Sequence, residues 1–227
     1  MSEELKIKEF LKYPRIESIG ICTDGSSIEC GSARSDGLCG LWSVLVGLSL
    51  LERSKLFKNP DYIDDKFKEY TEGVKPLTME ILIQILLDVS KRLLSMMDTI
   101  DTITIDDHFE FTRYDLVLMN IQLDLSFDDI QTLHGIAHFQ ILSLLLGVEI
   151  QILNININER SIDCIGNKDN DTIRISTGYN HFHLHNNKHG TDLSFYTDIF
   201  WNLQWVGHPH LSKSPTPFIS HVEDSNY

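Results

Sequence analysis

The stretch TLHGIAHFQILSLLLGVEIQILNIN, residues 132–156, changes its hydrophobic period in the middle, and that change decides the fold class. Up to Leu146 the apolar residues run at helical spacing, and Gly147 stands where a helix ends in a left-handed cap. From Val148 the pattern alternates, as a strand's does. A helix therefore feeds directly into a strand. RSIDCI (160–165), TIRIST (172–177) and NHFHLHN (180–186) alternate in the same way, and the aromatic TDIFWNLQWV (197–206) reads as a last strand. The final third thus carries a sheet of about four or five strands.

Helices dominate the part before it. EELKIKEFLKY (3–13) reads as a short amphipathic helix, DYIDDKFKEYTE (61–72) as another, and LTMEILIQILLDVSKRLLSMM (77–97) as a long one. Residues 39–51 are apolar nearly all round, the pattern of a central buried helix. IESIGICT (16–23) alternates and reads as a strand. DGSSIECGSARSDG (24–37) is a Gly- and Ser-rich loop. Residues 98–131 read as loop with one short helix, within a helical insert over 55–131. Helices first and strands after give an α+β class in a single domain over 1–227, with an irregular tail at 208–227.

Composition narrows the function classes. The 227 residues are 42% hydrophobic and 23% charged, which suits a folded core. The formal net charge is −14, so a nucleic-acid backbone is not the expected partner. The most apolar run contains Gln140, Glu149 and Gln151, too polar for a membrane span, so no membrane partner is expected. MSEELKIKEF lacks the basic-then-apolar start of a signal peptide. Cys22, Cys30, Cys39 and Cys164 form no CxxC pair and no zinc-finger spacing, which favours a reducing compartment, here the cytoplasm, over a disulfide framework.

The chemistry gathers in two places. In SDGLCGLWSVL (35–45) a thiol, Cys39, opens the buried helix between Gly37 and Gly40. The positive end of the helix dipole and its unpaired N–H groups favour the thiolate. Backbone N–H groups around Asp36, Gly37 and Cys39 are candidate donors to an oxyanion. The plain alternative is a small buried residue in a glycine turn. In NHFHLHN, His181, His183 and His185 alternate along one strand, so one of them is a candidate base for the thiol. The alternatives are a core or surface histidine, or an HxHxH metal site. His134 and His138, four apart on one helix, lack an accompanying acid and read as packing or surface residues.

Together these segments resemble the ovarian-tumour (OTU) domain cysteine proteases. SDGLCGLWSVL resembles the family's D-G-x-C motif at the mouth of its central helix. HGIAHFQILSLLLGVEIQILNI resembles its helix-then-strand segment, and NHFHLH its terminal strand, in the same order over residues 30–186. The resemblance implies a papain-like fold, its central helix starting at the nucleophile and packed on a small C-terminal β-sheet. It implies a deubiquitinase cutting (iso)peptide bonds after the C-terminal glycine of ubiquitin, through a Cys–His thioester and without metal or other cofactor. Cys39 matches the nucleophile, His181 the base and Asp36 the motif aspartate. His183 stands where the family has Asp or Asn orienting the base. Asp36 or Asn180 is then the alternative third member, and a shifted register makes His183 the base. Gly40-Leu41-Trp42 also departs from the family's Leu-Phe, with Trp42 read as packing.

Ubiquitin or polyubiquitin chains are the partners so implied. An acidic surface complements ubiquitin's basic face. Competing readings are a catalytically impaired ubiquitin-binding module, a metal-binding protein using the HxHxH strand, and another cysteine hydrolase or transferase on a papain-like scaffold. The Asn- and Ile-rich segments suggest an AT-rich genome. An effector of an intracellular bacterium, or a viral protein, released into host cytoplasm without a classical signal fits that composition.

Overall fold

The computed structural model describes residues 2–13, 20–21, 27–28, 38–49, 51, 56–75, 77, 79–124, 135–155, 160–178 and 181–185. Helix α1 (Glu3–Phe10) leads. A two-stranded pair β1 (Gly20–Ile21) and β2 (Ser27–Ile28) comes before helix α2 (Cys39–Ser49). The single-turn helix α3 (Lys68–Thr71) and the long α4 (Met79–Met97) lead to a hairpin, β3 (Thr102–Ile105) with β4 (Phe109–Thr112). Helices α5 (Arg113–Leu123) and α6 (Ala137–Leu146) follow. Strands β5 (Val148–Ile155), β6 (Arg160–Ile165), β7 (Asp171–Gly178) and β8 (His181–Leu184) complete an α+β layout.

The last four strands form one sheet in the order β6-β5-β7-β8. β5 and β7 run parallel, and the outer pairs are antiparallel. β5 is central and buried on both sides, as an inner parallel strand should be. One face carries Ile150, Ile152, Ile173, Ile175 and Leu184 into the main core. Helices α2 and α6 cover that face. The close approach of α2 depends on Gly47: a Cβ there would lie 2.6 Å from Ile173 Cγ2 and 3.2 Å from Leu184 Cδ1.

The opposite face is polar and lies beneath α1. Glu149 Oε2 accepts hydrogen bonds from Gln151 Nε2 and Thr172 Oγ1, both at 3.0 Å. The Tyr13 ring, just past α1, sits under the Arg174 guanidinium at 3.8 Å. α1 itself is begun by Ser2, whose hydroxyl accepts from the Leu5 N–H, with Glu3 and Glu4 in the first turn.

The helix-to-strand switch at residue 147 forms as its sequence dictates. Gly147 takes φ 56° and ψ 53°, ending α6 in the left-handed region. The carbonyl end of α6 is then tied down from elsewhere. Leu145 O accepts from the N–H groups of Lys58 and Asn59 at 3.1 Å, and Leu144 O from Asn59 Nδ2 at 2.6 Å. Ser143 Oγ reaches the carbonyls of Val148 and Ile165, pinning the helix to the sheet.

Three expectations change. Residues 61–72 do not form one helix. They make 3-10 turns at Pro60–Tyr62 and Asp65–Phe67 before α3, because Ile63 turns extended and Asp64 caps a new start through Lys66 N at 3.0 Å. Residues 98–131 hold the β3–β4 hairpin as well as a helix. Its turn is made by Asp106 and Asp107 in the left-handed region, at φ 51° and 56°, a position aspartate tolerates better than most residues. Ser27–Ile28, expected in loop, pairs with Gly20–Ile21.

The 55–131 segment contributes to the main core. Phe57, Phe67, Leu86, Phe111 and Leu116 share one buried cluster with Leu41 of α2 and Ile150 of β5. The strand expected at 197–206 and the tail at 208–227 lie outside the described residues. Among the described residues no helix is long and apolar enough to cross a membrane.

Candidate active site

Cys39 is the first residue of α2, following the fully buried Leu38. The helix is sunk into the protein on several sides. Leu41, Ser43, Val44, Leu45 and Leu48 are all buried. Its first turn contains no acidic residue, so nothing there offsets the positive field of its N–H groups.

Gly40 has a more specific reason than leaving room beside the sulfur. A Cβ at Gly40 would sit 2.9 Å from Phe139 Cζ and 3.3 Å from Phe182 Cδ2. The two aromatic rings meet each other edge to face, 5.3 Å between centroids. Thus three element starts converge: the first turn of α2, the first turn of α6 and the first residues of β8. Cys39 and His181 are the sequence neighbours of Gly40 and Phe182, which touch. Gly40 and Phe182 are thus neighbours in space although 142 positions apart in sequence. The side chains of Cys39, Trp42 and His181, together with Asp36, Gly37, His134 and Asn180, lie outside the described residues.

β8 pairs with β7 so that His181 faces Gly178, Phe182 faces Thr177, His183 faces Ser176 and Leu184 faces Ile175. Phe182 and Leu184 contact α2. By strand alternation positions 181 and 183 belong to the other face, away from α2. His185, the next residue on that face, is a buried structural histidine rather than a ligand or base. Its Nδ1 lies 2.8 Å from the Tyr13 carbonyl and its Nε2 2.9 Å from Ser176 Oγ. A carbonyl only accepts, so Nδ1 carries a proton and donates to Tyr13, and Nε2 bonds the Ser176 hydroxyl. Phe10 packs edge-on against it at 4.8 Å. No local signal marks this role, because Tyr13 lies 172 residues earlier.

His138 is also buried and belongs to packing. Its ring stacks at a tilt on Phe139, 4.1 Å between centroids, and its Nδ1 has no hydrogen-bond partner among the described residues. Burial lowers its pKa to about 3, so the ring stays neutral. Phe139 is the residue that sequence reasoning missed at this site. The glycine after the cysteine was its only trace. Among the described residues no three His, Cys, Asp or Glu side chains are grouped to hold a metal ion. Comparison of the chain with protein-family models, curated proteins and solved structures finds no match.

Proposed function

We propose that the protein is a cysteine protease with an OTU-like, papain-like arrangement that hydrolyses (iso)peptide bonds at the C-terminal glycine of ubiquitin. One observation supports the reading: Gly40, the residue after Cys39, lies against the ring of Phe182, the residue after His181. Cys39, as thiolate at the mouth of α2, attacks the glycine carbonyl, and His181 takes the thiol proton. N–H groups of Asp36, Gly37 and Cys39 hold the oxyanion. His181 returns the proton to the leaving lysine amine, and water then hydrolyses the thioester. The narrow diglycine end of ubiquitin suits a glycine-flanked cleft. Asp36, Asn180 or His183 orients the base. The acidic chain complements a basic partner, and the expected place of action is cytoplasm, the host's if the protein is an effector.

The reading makes a geometric demand. Phe182 and Leu184 face α2, and position 181 alternates with them, so the reading requires the His181 imidazole to reach the thiol around the start of β8. That same observation favours one second reading, a ubiquitin-binding module of this fold with impaired catalysis.

A ubiquitin probe bearing a C-terminal electrophile separates the two. The protease labels on Cys39, labelling disappears in Cys39→Ala and His181→Ala, and it survives in His183→Ala. Binding without labelling supports the impaired module. Neither labelling nor binding removes ubiquitin from consideration.

A further inference from the structure

Helix α5 is apolar on two sides. Thr112 starts it, its hydroxyl accepting from the Asp115 N–H, and Leu116, Met119 and Leu123 turn inward to the core. Tyr114, Val117 and Ile121 stand at i, i+3 and i+7 on the outer side, 74%, 42% and 63% exposed. A helix that packs on one side only would carry polar residues there. Ile100 extends the stripe past its N-terminal end: it is exposed, and its carbonyl accepts from Arg113 Nη2 at 3.2 Å. Large apolar side chains aligned along one helix face, unlike single ones scattered over a surface, mark an interaction surface.

The charges at the two ends of the stripe say what covers it. At the N-terminal end Arg113 Nε lies 3.8 Å from Asp101 Oδ1, and at the C-terminal end Lys91 Nζ lies 3.8 Å from Asp124 Oδ1. Lys91, Asp101 and Asp124 are exposed, so both pairs are loose and open to further partners. Positions 113 and 124 are close to three full helical turns apart, so they fall on one side of the stripe, the side of α4, which carries Lys91. A second copy laid antiparallel on this face, about a two-fold axis, sets Arg113 against the partner's Asp124 and Lys91 against the partner's Asp101. A parallel copy sets like charge against like. Antiparallel pairing also brings opposite ends of the helix dipoles together. The four charges sum to zero, whereas the whole chain carries −14, so two copies meet here without adding to their repulsion.

We propose that α5 is a self-docking face: two copies of the chain pair their α5 helices antiparallel, Tyr114 of one on Ile121 of the other, closed at both ends by the crossed ion pairs. The dimer is weak and depends on concentration. α5 has 11 residues, so the stripe is about 16 Å long and about 10 Å wide, well short of the roughly 800 Å² per partner of a standard stable interface. No residue of this face belongs to the Cys39–His181 site, so the proposal does not rest on the protease reading.

The test is sedimentation equilibrium of the full chain from about 5 to about 500 μM. Circular dichroism and melting temperature check that each variant is folded. The wild type is expected to move from the mass of one chain toward that of two across this range. Ile121→Glu, at a well-exposed position, is expected to weaken association on the order of tenfold or more. Lys91→Glu and Asp101→Lys each set like charges opposite one another, and each is expected to weaken it by about threefold to tenfold. The double swap Lys91→Glu with Asp101→Lys restores the crossed pairs, and its association should return to within about twofold of the wild type. A wild type that stays monomeric at the highest concentration overturns the proposal. So does association that Ile121→Glu leaves intact, or a double swap no better than either single one.

Discussion

His138 makes the protein's stability depend on pH in a way that one substitution can isolate. The imidazole is buried, its Nδ1 has no partner among the described residues, and its pKa falls from 6.5 to about 3 through burial. The unfolded chain therefore binds this proton near pH 6.5, whereas the folded chain refuses it until near pH 3. The neutral ring costs nothing in protonation above pH 6.5, and stability is lost as the pH falls below that value. At pH 5 the loss from this one group is about 2 kcal/mol, at roughly 1.4 kcal/mol per unit. For a chain of this length that corresponds to about 4–8 °C in melting temperature. Leucine has nearly the volume of histidine and no proton to bind. His138→Leu should match or exceed the wild type at pH 8, since it removes an unsatisfied buried nitrogen. At pH 5 its advantage should grow by the full 2 kcal/mol. Urea unfolding of both proteins at both pH values measures this, and comparing the two differences cancels every other titrating group. An advantage that stays the same at pH 5 and pH 8 would refute the reasoning, because it would mean the ring is protonated as readily inside the fold as outside it.

The two glycines of α2 should differ in a defined order. Gly47→Ala places a methyl 2.6 Å from Ile173 Cγ2 in the core, and should destabilise by about 1–3 kcal/mol in denaturant. Gly40→Ala meets only ring edges, at 2.9 and 3.3 Å, and alanine favours the helix, so its loss should be smaller. It should nonetheless reduce probe labelling of Cys39, because it pushes Phe182 and β8 away. His185→Leu should cost about 1–3 kcal/mol, leaving the Ser176 hydroxyl without its acceptor, and should lower hydrogen-exchange protection in α1. Unchanged protection in α1 would mean that Phe10 and Tyr13 hold the helix without His185. Ser143→Ala removes the hydroxyl that bridges α6 to the carbonyls of Val148 and Ile165, and should cost on the order of 1–2 kcal/mol in the same assay.

Local sequence determined the elements whose signal is both long and consistent. α2, α4 and α6 follow their apolar periodicity, and Gly147 ends α6 where a left-handed residue is needed. β5 to β8 follow their alternation. These segments reach the right structure because each residue's preference and its neighbours' agree. The hairpin at 102–112 was harder to read because its turn is Asp106-Asp107 rather than Asn-Gly, and the 3-10 turns at 60–67 were masked by helix-forming residues around Pro60.

Tertiary structure alone decided the rest. That Gly40 is the seat of two aromatic rings follows from α6 and β8 arriving there, not from the residues beside it. That His185 is a buried structural group follows from a carbonyl at Tyr13 and a hydroxyl at Ser176, and that His138 is buried follows from the elements packed around α6. A histidine's chemistry is set by what surrounds its two nitrogens, and those surroundings come from chain segments far away. The sequence could name Cys39 and His181 as chemically suited to each other. Only the packing of α2 against β8 could bring Gly40 against the Phe182 ring.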